Sequence, residues 1–279
     1  MKRWGISALG ALACGLGTAA YADTPPTPSA SGSLPNPSGP SSNNLLLSLG
    51  ASDWSGEYGA TTETDISALL LGARYKIGDL RLTASVPWMR IASDGVVFAG
   101  VDGTPLIISP ETLTRRRTRE GFGDLTLGGA YLAPATPLFG ADVEIISRIK
   151  LPTASVDSGL STGRADYSVG SEISKPFGPW TPFVSATYRS FGDPSGWRLK
   201  DGFATSAGLT YQFSNKLVYQ LSYDYAQRTS AFIPDSQAIA ASVSAPVPSS
   251  QIRVTAFVSK GLSNGAADFA GGLALSVSL

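Results

Sequence analysis

Strict alternation runs through the stretch Leu217-Val218-Tyr219-Gln220-Leu221-Ser222-Tyr223-Asp224-Tyr225, in which every second side chain is large and apolar or aromatic. The residues between them are mostly polar. The same period governs Phe269-Ala270-Gly271-Gly272-Leu273-Ala274-Leu275-Ser276-Val277-Ser278-Leu279. Because successive side chains of a β-strand point to opposite faces, a period of two predicts strands with one apolar face, not helices.

The alternation and the turn signals between the stretches predict about twelve strands. They lie near 44–54, 62–76, 80–92, 120–133, 141–153, 165–176, 180–192, 202–213, 217–229, 236–245, 251–262 and 268–279. An even number places both ends of this region on one side, where the connections are brief: Gly78-Asp79, Ser214-Asn215-Lys216 and Pro246-Val247-Pro248. The other side carries the longest connection, Ser93 to Arg119. This asymmetry is typical of an all-β, closed antiparallel transmembrane β-barrel.

Alternation alone does not say which face is outside, and a soluble sandwich with its apolar face inward is the alternative. The positions of the aromatic residues favour a barrel with its apolar face in lipid, because they fall near strand ends as two interfacial girdles. The outer girdle would be Trp88, Tyr167, Tyr188, Phe203, Tyr225 and Phe269, and the inner one Tyr75, Tyr131, Phe177, Trp180, Tyr211, Phe213 and Tyr219. About twelve strands also exceed the eight whose side chains fill a barrel, so a wet lumen is expected.

The start of the chain predicts the compartment. Met1-Lys2-Arg3 is basic, Ile6 to Thr18 is a short apolar run, and Ala20-Tyr21-Ala22 fits a cleavage site, so residues 1–22 are a predicted signal peptide. The only cysteine, Cys14, follows Ala-Leu-Ala, which faintly resembles a lipoprotein box; ordinary cleavage, which removes it, is favoured. Residues 23–43 are a Pro/Ser-rich tail, read as a flexible periplasmic spacer or alternatively as a plug, and 44–279 are the barrel.

Composition excludes several classes of protein. Charges balance and only 15% of residues are charged, so no basic excess indicates nucleic acid, and no apolar run after the signal is long enough for a membrane helix. The chain has no histidine, which excludes Ser-His-Asp hydrolysis, Cys-His chemistry and histidine-ligated metal sites. We therefore predict no enzyme, no catalytic residue, no metal and no cofactor. Carboxylate catalysis by Asp124, Glu144 and Glu172 is the alternative to their pairing with lumen cations.

Charged residues lie on the polar face of the strands, where they would line a lumen. The candidates for solute contact are Arg81, Asp124, Glu144, Arg148, Lys150, Glu172, Arg189, Asp224, Arg228 and Arg253. Arg148 and Lys150 face the same way on one strand and are the first candidates to hold an anionic solute. The alternative is that these side chains fill the lumen and brace the barrel as an ion-pair ladder.

The densest run of charge is Arg115-Arg116-Arg117-Thr118-Arg119, just before the fourth predicted strand. At the outer surface these arginines (Arg115, Arg116, Arg117 and Arg119) would contact lipopolysaccharide phosphates, since guanidinium groups bind phosphate well. Two alternatives stay open: the run folds inward as a constriction, or it is a solvated loop. The following Gly121-Phe122-Gly123-Asp124 lacks the strand–loop–helix context of a phosphate loop and suits a curved strand entry.

Three segments carry a resemblance to a known family. Gly121-Phe122-Gly123-Asp124-Leu125-Thr126-Leu127-Gly128, then Ile149-Lys150-Leu151-Pro152-Thr153, then Ser161-Thr162-Gly163-Arg164-Ala165-Asp166-Tyr167 resemble the outer-membrane proteins named for a putative MetA pathway of phenol degradation. The resemblance implies an outer-membrane barrel that admits small hydrophobic or aromatic compounds. Two departures are Ala154, where the family usually has glycine, and Leu279, where barrel assembly signals usually have phenylalanine.

The sequence thus predicts a bacterial outer-membrane channel or transporter for passive or facilitated uptake of small molecules, hydrophobic or aromatic acids among them. The alternative is a structural or surface-interaction barrel with a blocked lumen. The expected partners are outer-membrane lipid, lipopolysaccharide, a small solute and the barrel assembly machinery, whose recognition of Leu279 would be weaker than of phenylalanine. The sequence does not predict the oligomeric state.

Overall fold

The computed structural model describes residues 44–60, 62–103, 105–109, 116–133, 140–213 and 216–279. The predicted signal peptide with Cys14, the tail 23–43 and Arg115 lie outside these residues. No helix in the described ranges is long and apolar enough to cross a membrane.

Fifteen strands are present in the described residues. They are β1 Asn44–Gly56, β2 Thr64–Ile77, β3 Leu80–Ser93, β4 Val96–Ala99, β5 Pro105–Ser109, β6 Arg117–Phe122, β7 Leu125–Ala133, β8 Asp142–Leu151, β9 Asp166–Ser174, β10 Trp180–Ser190, β11 Gly202–Gln212, β12 Val218–Ala226, β13 Ser236–Pro246, β14 Ile252–Gly261 and β15 Phe269–Ser278. Short 3₁₀ turns form at Val101–Gly103 and Val156–Ser158. All twelve predicted strands are confirmed, with ends within three residues of the prediction.

The wall of the molecule is a closed antiparallel sheet. Consecutive wall strands pair with each other, β15 closes onto β1, and β2 pairs with both β1 and β3. β6 pairs with the C-terminal half of β3 and β7 pairs with its N-terminal half. β6 and β7 together therefore form one strand that is interrupted at residues 123–124. The wall therefore has twelve strand positions, as predicted. Closure pairs the two edges of the sheet with each other. This is required in lipid, because backbone N–H and C=O groups there have no water to bond.

The exposed face of this wall is apolar and the enclosed face is polar. Leu221, near the middle of β12, is 56% exposed, whereas its neighbours Ser222 and Asp224 are buried. On β15, Leu275 is likewise exposed and Ser276 is buried, which is the reverse of the arrangement in a soluble protein. A soluble sandwich is therefore wrong, and the apolar face is the lipid-facing surface of a transmembrane barrel.

The predicted aromatic residues lie on the outward face near the strand ends. At the end that carries both the first residue of β1 and the last of β15, Trp180, Tyr211, Phe213 and Tyr219 form a chain of edge-to-face contacts, with ring centroids 4.4, 4.5 and 5.5 Å apart. At the opposite end, Tyr188 and Phe203 make an edge-to-face contact with ring centroids 5.2 Å apart. We call the first end the inner end and the opposite, long-loop end the outer end, following the usual orientation of such barrels.

One element was not predicted. The connection from β3 to β6 contains a separate two-stranded hairpin, β4 and β5, linked through the turn at Val101–Gly103. Its residues Val97, Val101 and Leu106 are fully buried, so the hairpin is packed into the molecule and does not stand in solvent. We call residues 94–109 the hairpin.

Depth in the wall can be tested with arginine substitutions. Leu221→Arg should destabilise the folded barrel by about 2–4 kcal/mol, because a guanidinium near the bilayer midplane is poorly solvated. Leu262→Arg, at an exposed position just past the outer end of β14, should cost at most about 1 kcal/mol. The free energy of unfolding in lipid vesicles, from denaturant titration, measures both; equal costs would contradict a lipid-facing Leu221.

Candidate solute path and its plug

Most predicted lumen residues do lie on the inner surface of the wall. Eight of them are strand residues on the enclosed side, alternating with outward-facing neighbours: Arg81, Glu144, Arg148, Lys150, Glu172, Arg189, Asp224 and Arg253. Asp124 is buried in the break between β6 and β7. Arg228 is an exception and its prediction needs correction: β12 ends at Ala226, and Arg228 is exposed in the outer loop, where its backbone N–H donates to Asp235 Oδ1 at 3.0 Å.

The inner half of the lumen holds an ion pair across the sheet. Arg81 Nη2 on β3 lies 2.7 Å from Glu144 Oε2 on β8, two strands away, and both side chains are largely enclosed. Glu144 stands beside Glu172 in the register of β8 and β9. Asp124 is elsewhere, since it contacts Lys150, which lies six residues or about 20 Å along β8 from Glu144. The three carboxylates considered for catalysis therefore do not form one site, and bracing by ion pairs is the role that these contacts support.

A buried triad of charges lies at the outer end of β8. Lys150 Nζ is 3.2 Å from Asp124 Oδ2 and 2.9 Å from Asp166 Oδ2, and the three side chains are at most 2% exposed. Ser161 Oγ and the Ala154 N–H also donate to Asp124, at 2.7 and 3.0 Å. Burying charges is costly unless they are paired and hydrogen-bonded, and this triad is both. Its three members come one each from the three segments that carry the family resemblance.

The position of Lys150 corrects its predicted role. It was expected to hold an anionic solute, but its ammonium already contacts two carboxylates, the Ala99 carbonyl oxygen at 3.1 Å and Thr162 Oγ1 at 3.4 Å. An ammonium has three hydrogens to donate, so no donor capacity remains for a solute in this arrangement. Arg148, two residues earlier on the same face, stays the candidate for anion contact.

The triad and Arg119 hold the hairpin inside the barrel mouth. Lys150 donates to the Ala99 carbonyl, and the Val101 N–H donates to Asp166 Oδ2 at 3.1 Å. From β6, Arg119 donates to the Gly95 carbonyl at 3.1 Å and to the Val97 carbonyl at 3.4 Å. We call these contacts the latch. They bond backbone atoms of the hairpin, so they fix its position whatever its side chains are.

Gly159 explains how Arg119 reaches the hairpin. A Cβ at Gly159 would lie 2.7 Å from Arg119 Cδ, and its φ of +69° is the left-handed conformation that favours glycine. The arginine stem therefore packs directly on backbone at this position. No local sequence pattern indicates this contact, because Gly159 is forty residues away from Arg119 along the chain.

The arginine run divides among its three predicted roles. Arg119 points inward to the hairpin, so lipopolysaccharide contact does not fit it and the constriction alternative does. Arg116 bonds the Asp65 carboxylate and the Glu63 carbonyl at the rim of the barrel. Arg117 is exposed, and its contact with lipopolysaccharide stays a prediction. Arg115 lies outside the described residues.

An apolar cluster lies inside the outer half of the barrel, against the hairpin. Its wall includes Trp54, Ile66 and Ile91, which occupy one register row across β1, β2 and β3. We call this set the outer chamber; its buried members are Trp54, Tyr58, Ile66, Met89, Ile91, Val97, Leu160, Ile233 and Ala270. Val97 is contributed by the hairpin, so the hairpin contacts the apolar wall of the lumen as well as the latch.

Sequence reasoning missed the outer chamber, although a signal is present. On the outer ends of β1, β2 and β3 the alternation inverts, in Asp53-Trp54, Asp65-Ile66 and Arg90-Ile91. Here the polar residue faces outward and the apolar one inward, because the wall has left the lipid. Asp166 was also missed as a site residue; its position in the resemblance motif was the available signal.

The outer loops are themselves anchored. Burial raises the pKa of Tyr58 in the β1–β2 loop above its ordinary value, and the nearby Asp268 and Asp65 carboxylates raise it further, so the phenol stays neutral in the chamber. The Tyr225 hydroxyl, which donates to Asp235 Oδ2 at 2.7 Å, lowers the pKa of Asp235, as does the Arg228 N–H. These contacts fix the loop between β12 and β13, which brings Ile233 into the outer chamber.

A closed twelve-stranded wall with a lipid-facing apolar surface and a polar lumen defines an outer-membrane β-barrel, here with its own loop folded into the mouth. The chain belongs to the family described as "Putative MetA-pathway of phenol degradation", whose model matches residues 31–279. This confirms the resemblance recognised in the three motif segments. No curated protein is similar enough to the chain to count as a match.

Several solved barrels are similar in outline. The transport unit of the autotransporter AIDA-I from Escherichia coli is 10% identical, with 88% of this chain and 93% of that chain covered and a TM-score of 0.48. A FadL homologue of Pseudomonas aeruginosa is 10% identical, covering 86% and 75% with a TM-score of 0.42. The CymD monoaromatic hydrocarbon channel is 13% identical, covering 85% and 86% with a TM-score of 0.41. Similarity at this level says nothing about what this barrel carries.

The latch can be tested by removing the ammonium. Lys150→Met leaves Asp124 and Asp166 facing each other without a cation, which costs about 3–5 kcal/mol and is relieved when the hairpin withdraws and water enters. Labelling of Val97→Cys by a water-soluble maleimide reports this release, and the background is low because the only natural cysteine lies in the predicted signal peptide. We expect the labelling rate to rise roughly 100-fold.

Arg81→Met is the matched control for this experiment. It breaks the ion pair with Glu144, which is remote from the hairpin, so labelling of Val97→Cys should be unchanged. Slow labelling in the Lys150→Met background, with the barrel still folded, would show that the latch does not hold the hairpin.

Proposed function

We propose that this barrel is a gated conduit for the passive uptake of small, mainly apolar molecules, aromatic ones among them. The hairpin is its gate. The observation that carries the proposal is the outer chamber: apolar side chains line the inside of a membrane barrel at the mouth, directly above a polar lumen. The family's description, which refers to phenol degradation, agrees with this class of solute.

The free energies of burying Val97 and of burying an aromatic solute in the outer chamber are similar enough for one to replace the other. Burying the Val97 side chain in the outer chamber is worth about 1.5–3 kcal/mol. A monocyclic aromatic solute that buries roughly 150 Å² gains about 4 kcal/mol at 25 cal/mol per Å². A solute can thus replace Val97 against Trp54 and Met89 and offset the loss of that contact. The hairpin then withdraws as far as the latch allows.

Below the chamber, the lumen favours solutes that carry negative charge. Away from the triad and the latch, the inward-facing strand positions carry more cations than carboxylates. The cations are Arg74, Lys76, Arg81, Arg148, Arg189 and Arg253, and the carboxylates are Asp142, Glu144, Glu172 and Asp224. An excess of fixed positive charge attracts anions and repels cations in a narrow bore. Weak attraction at several arginines allows a solute to move on toward the inner end.

One observation favours the second candidate, a barrel with a blocked lumen. Many lumen-facing side chains are buried, among them Asp224, Thr255 and Ser276, so the inner surface is packed in the closed arrangement. A barrel of this kind would act through its outer loops and carry nothing. Flux separates the two candidates.

The decisive experiment compares the intact chain with one that lacks the hairpin. Ser93 and Arg117 are paired on β3 and β6, so residues 95–115 can be replaced by an Asn-Gly turn without opening the wall. Both proteins are placed in liposomes, and swelling is measured in arabinose and in benzenesulfonate, an aromatic anion that does not cross lipid unaided. We expect the intact chain to pass benzenesulfonate faster than arabinose, and the shortened chain to pass both quickly. If the folded intact chain passes neither, the blocked barrel is correct.

Charge selectivity is tested in the same assay. Arg148→Ala should lower the ratio of benzenesulfonate to arabinose flux several-fold, because it removes a guanidinium from the middle of the lumen. Arg228→Ala is the matched control: the residue is exposed in the outer loop, so the ratio should stay at the level of the natural chain. An unchanged ratio in Arg148→Ala would argue against anion contact at that position.

A further inference from the structure

We infer that the indole N–H of Trp54 is the polar recognition point of the outer chamber and selects apolar molecules that carry one uncharged acceptor oxygen. This deepens the proposed function and rests on it. The ligand class is a compact ring or short hydrocarbon with a carbonyl, ether or hydroxyl oxygen.

The primary observation is an unsatisfied donor. Trp54 is 3% exposed and belongs to the outer chamber. Within the part of the chain that the structure describes, its Nε1 atom is buried and has no hydrogen-bond partner. Buried indole N–H groups usually find an acceptor, and a buried donor left without one costs about 1–3 kcal/mol. A bound molecule with an acceptor removes this cost.

The surroundings of Trp54 do not compete for a ligand's oxygen. Its register neighbours on both sides, Ile66 on β2 and Ala270 on β15, are apolar. The nearest hydroxyl on the same face of β1, Ser52 Oγ, already donates to the Ala68 carbonyl at 3.0 Å. A ligand in the chamber therefore meets the Trp54 N–H, the buried phenol of Tyr58 and otherwise apolar side chains. A few polar groups in an apolar lining are the usual composition of a small-molecule site.

The charges around the chamber define what the site rejects. The cations that approach it, Lys150 and Arg119, are committed to the latch. A carboxylate ligand would have to shed its hydration without a cation to replace it, whereas a neutral carbonyl or ether oxygen is satisfied by a single N–H. A pure hydrocarbon that replaces Val97 leaves the Trp54 donor unpaired. The chamber thus binds a neutral acceptor more tightly than a carboxylate or a pure hydrocarbon, and an anion is favoured only in the lumen below the chamber.

The test uses two ligands of matched shape, acetophenone and ethylbenzene, which differ in a carbonyl oxygen. Equilibrium binding to the refolded full barrel is measured for the natural chain, for Trp54→Phe, which keeps an aromatic ring but removes the N–H, and for Trp88→Phe on the lipid-facing side of β3. The quantity compared is the ratio of the two affinities, so that differences in partition into detergent cancel between variants. Trp54→Phe should reduce the preference for acetophenone by about 3- to 10-fold, and Trp88→Phe should not change it.

A second readout does not depend on how the variant folds. In the natural chain labelled with ¹⁵N, acetophenone should shift the indole N–H resonance of Trp54 downfield, as a new hydrogen bond does, and ethylbenzene should not. Binding of both ligands with equal preference in all variants, or no acceptor-dependent shift, overturns the role of Trp54 and leaves the conduit standing. Binding of neither ligand overturns the solute site in the outer chamber as well.

Discussion

The buried ammonium of Lys150 is the constraint on which the closed mouth of the barrel depends. It cannot stay desolvated alone, so it requires Asp124 and Asp166 beside it. Two carboxylates against one ammonium leave an excess negative charge, and the surrounding backbone N–H groups, including Val101 of the hairpin, offset it. The hairpin is thus not merely lying in the mouth. It completes the solvation of a charge cluster that belongs to the wall.

Wall and plug are held by different forces. The wall is stabilised by the closed ladder of backbone hydrogen bonds, which leaves no edge to be satisfied by lipid. The hairpin has only two strands, and an isolated hairpin of this size is marginal in water. Its position therefore depends on the latch and on two apolar contacts, that of Val97 with the outer chamber and that of Val101 and Leu106 with Phe191. A change in either can move the hairpin while the twelve-stranded wall stays folded.

Much of the wall was predictable because lipid imposes a period of two on every strand, as in Leu217 to Tyr225. The inward-facing positions of most charged residues were predicted from the same alternation. The hairpin was not predicted, because its short strands lie within a loop and pair only with each other. The triad brings together Asp124, Lys150 and Asp166, which are up to 42 residues apart, and no local pattern encodes that contact. Arg228 was misplaced because the alternation continued past the end of β12.

In the conduit that we propose, the hairpin is held by an ionic set of contacts and an apolar set of contacts, and this division explains how its gate responds to uncharged solutes. Such a solute cannot compete for Lys150, but it can compete with Val97 for the walls of the outer chamber. The latch then sets how strongly the closed arrangement is favoured, and the affinity of the solute for the vacated chamber sets how far the equilibrium moves toward the open one. A ligand that bound both arrangements equally would leave the gate shut. In the proposed gate, the apolar walls of the outer chamber therefore set the preference for uncharged solutes and the ion pairs of the latch set the threshold for opening, whereas the preference for anions is a property of the lumen.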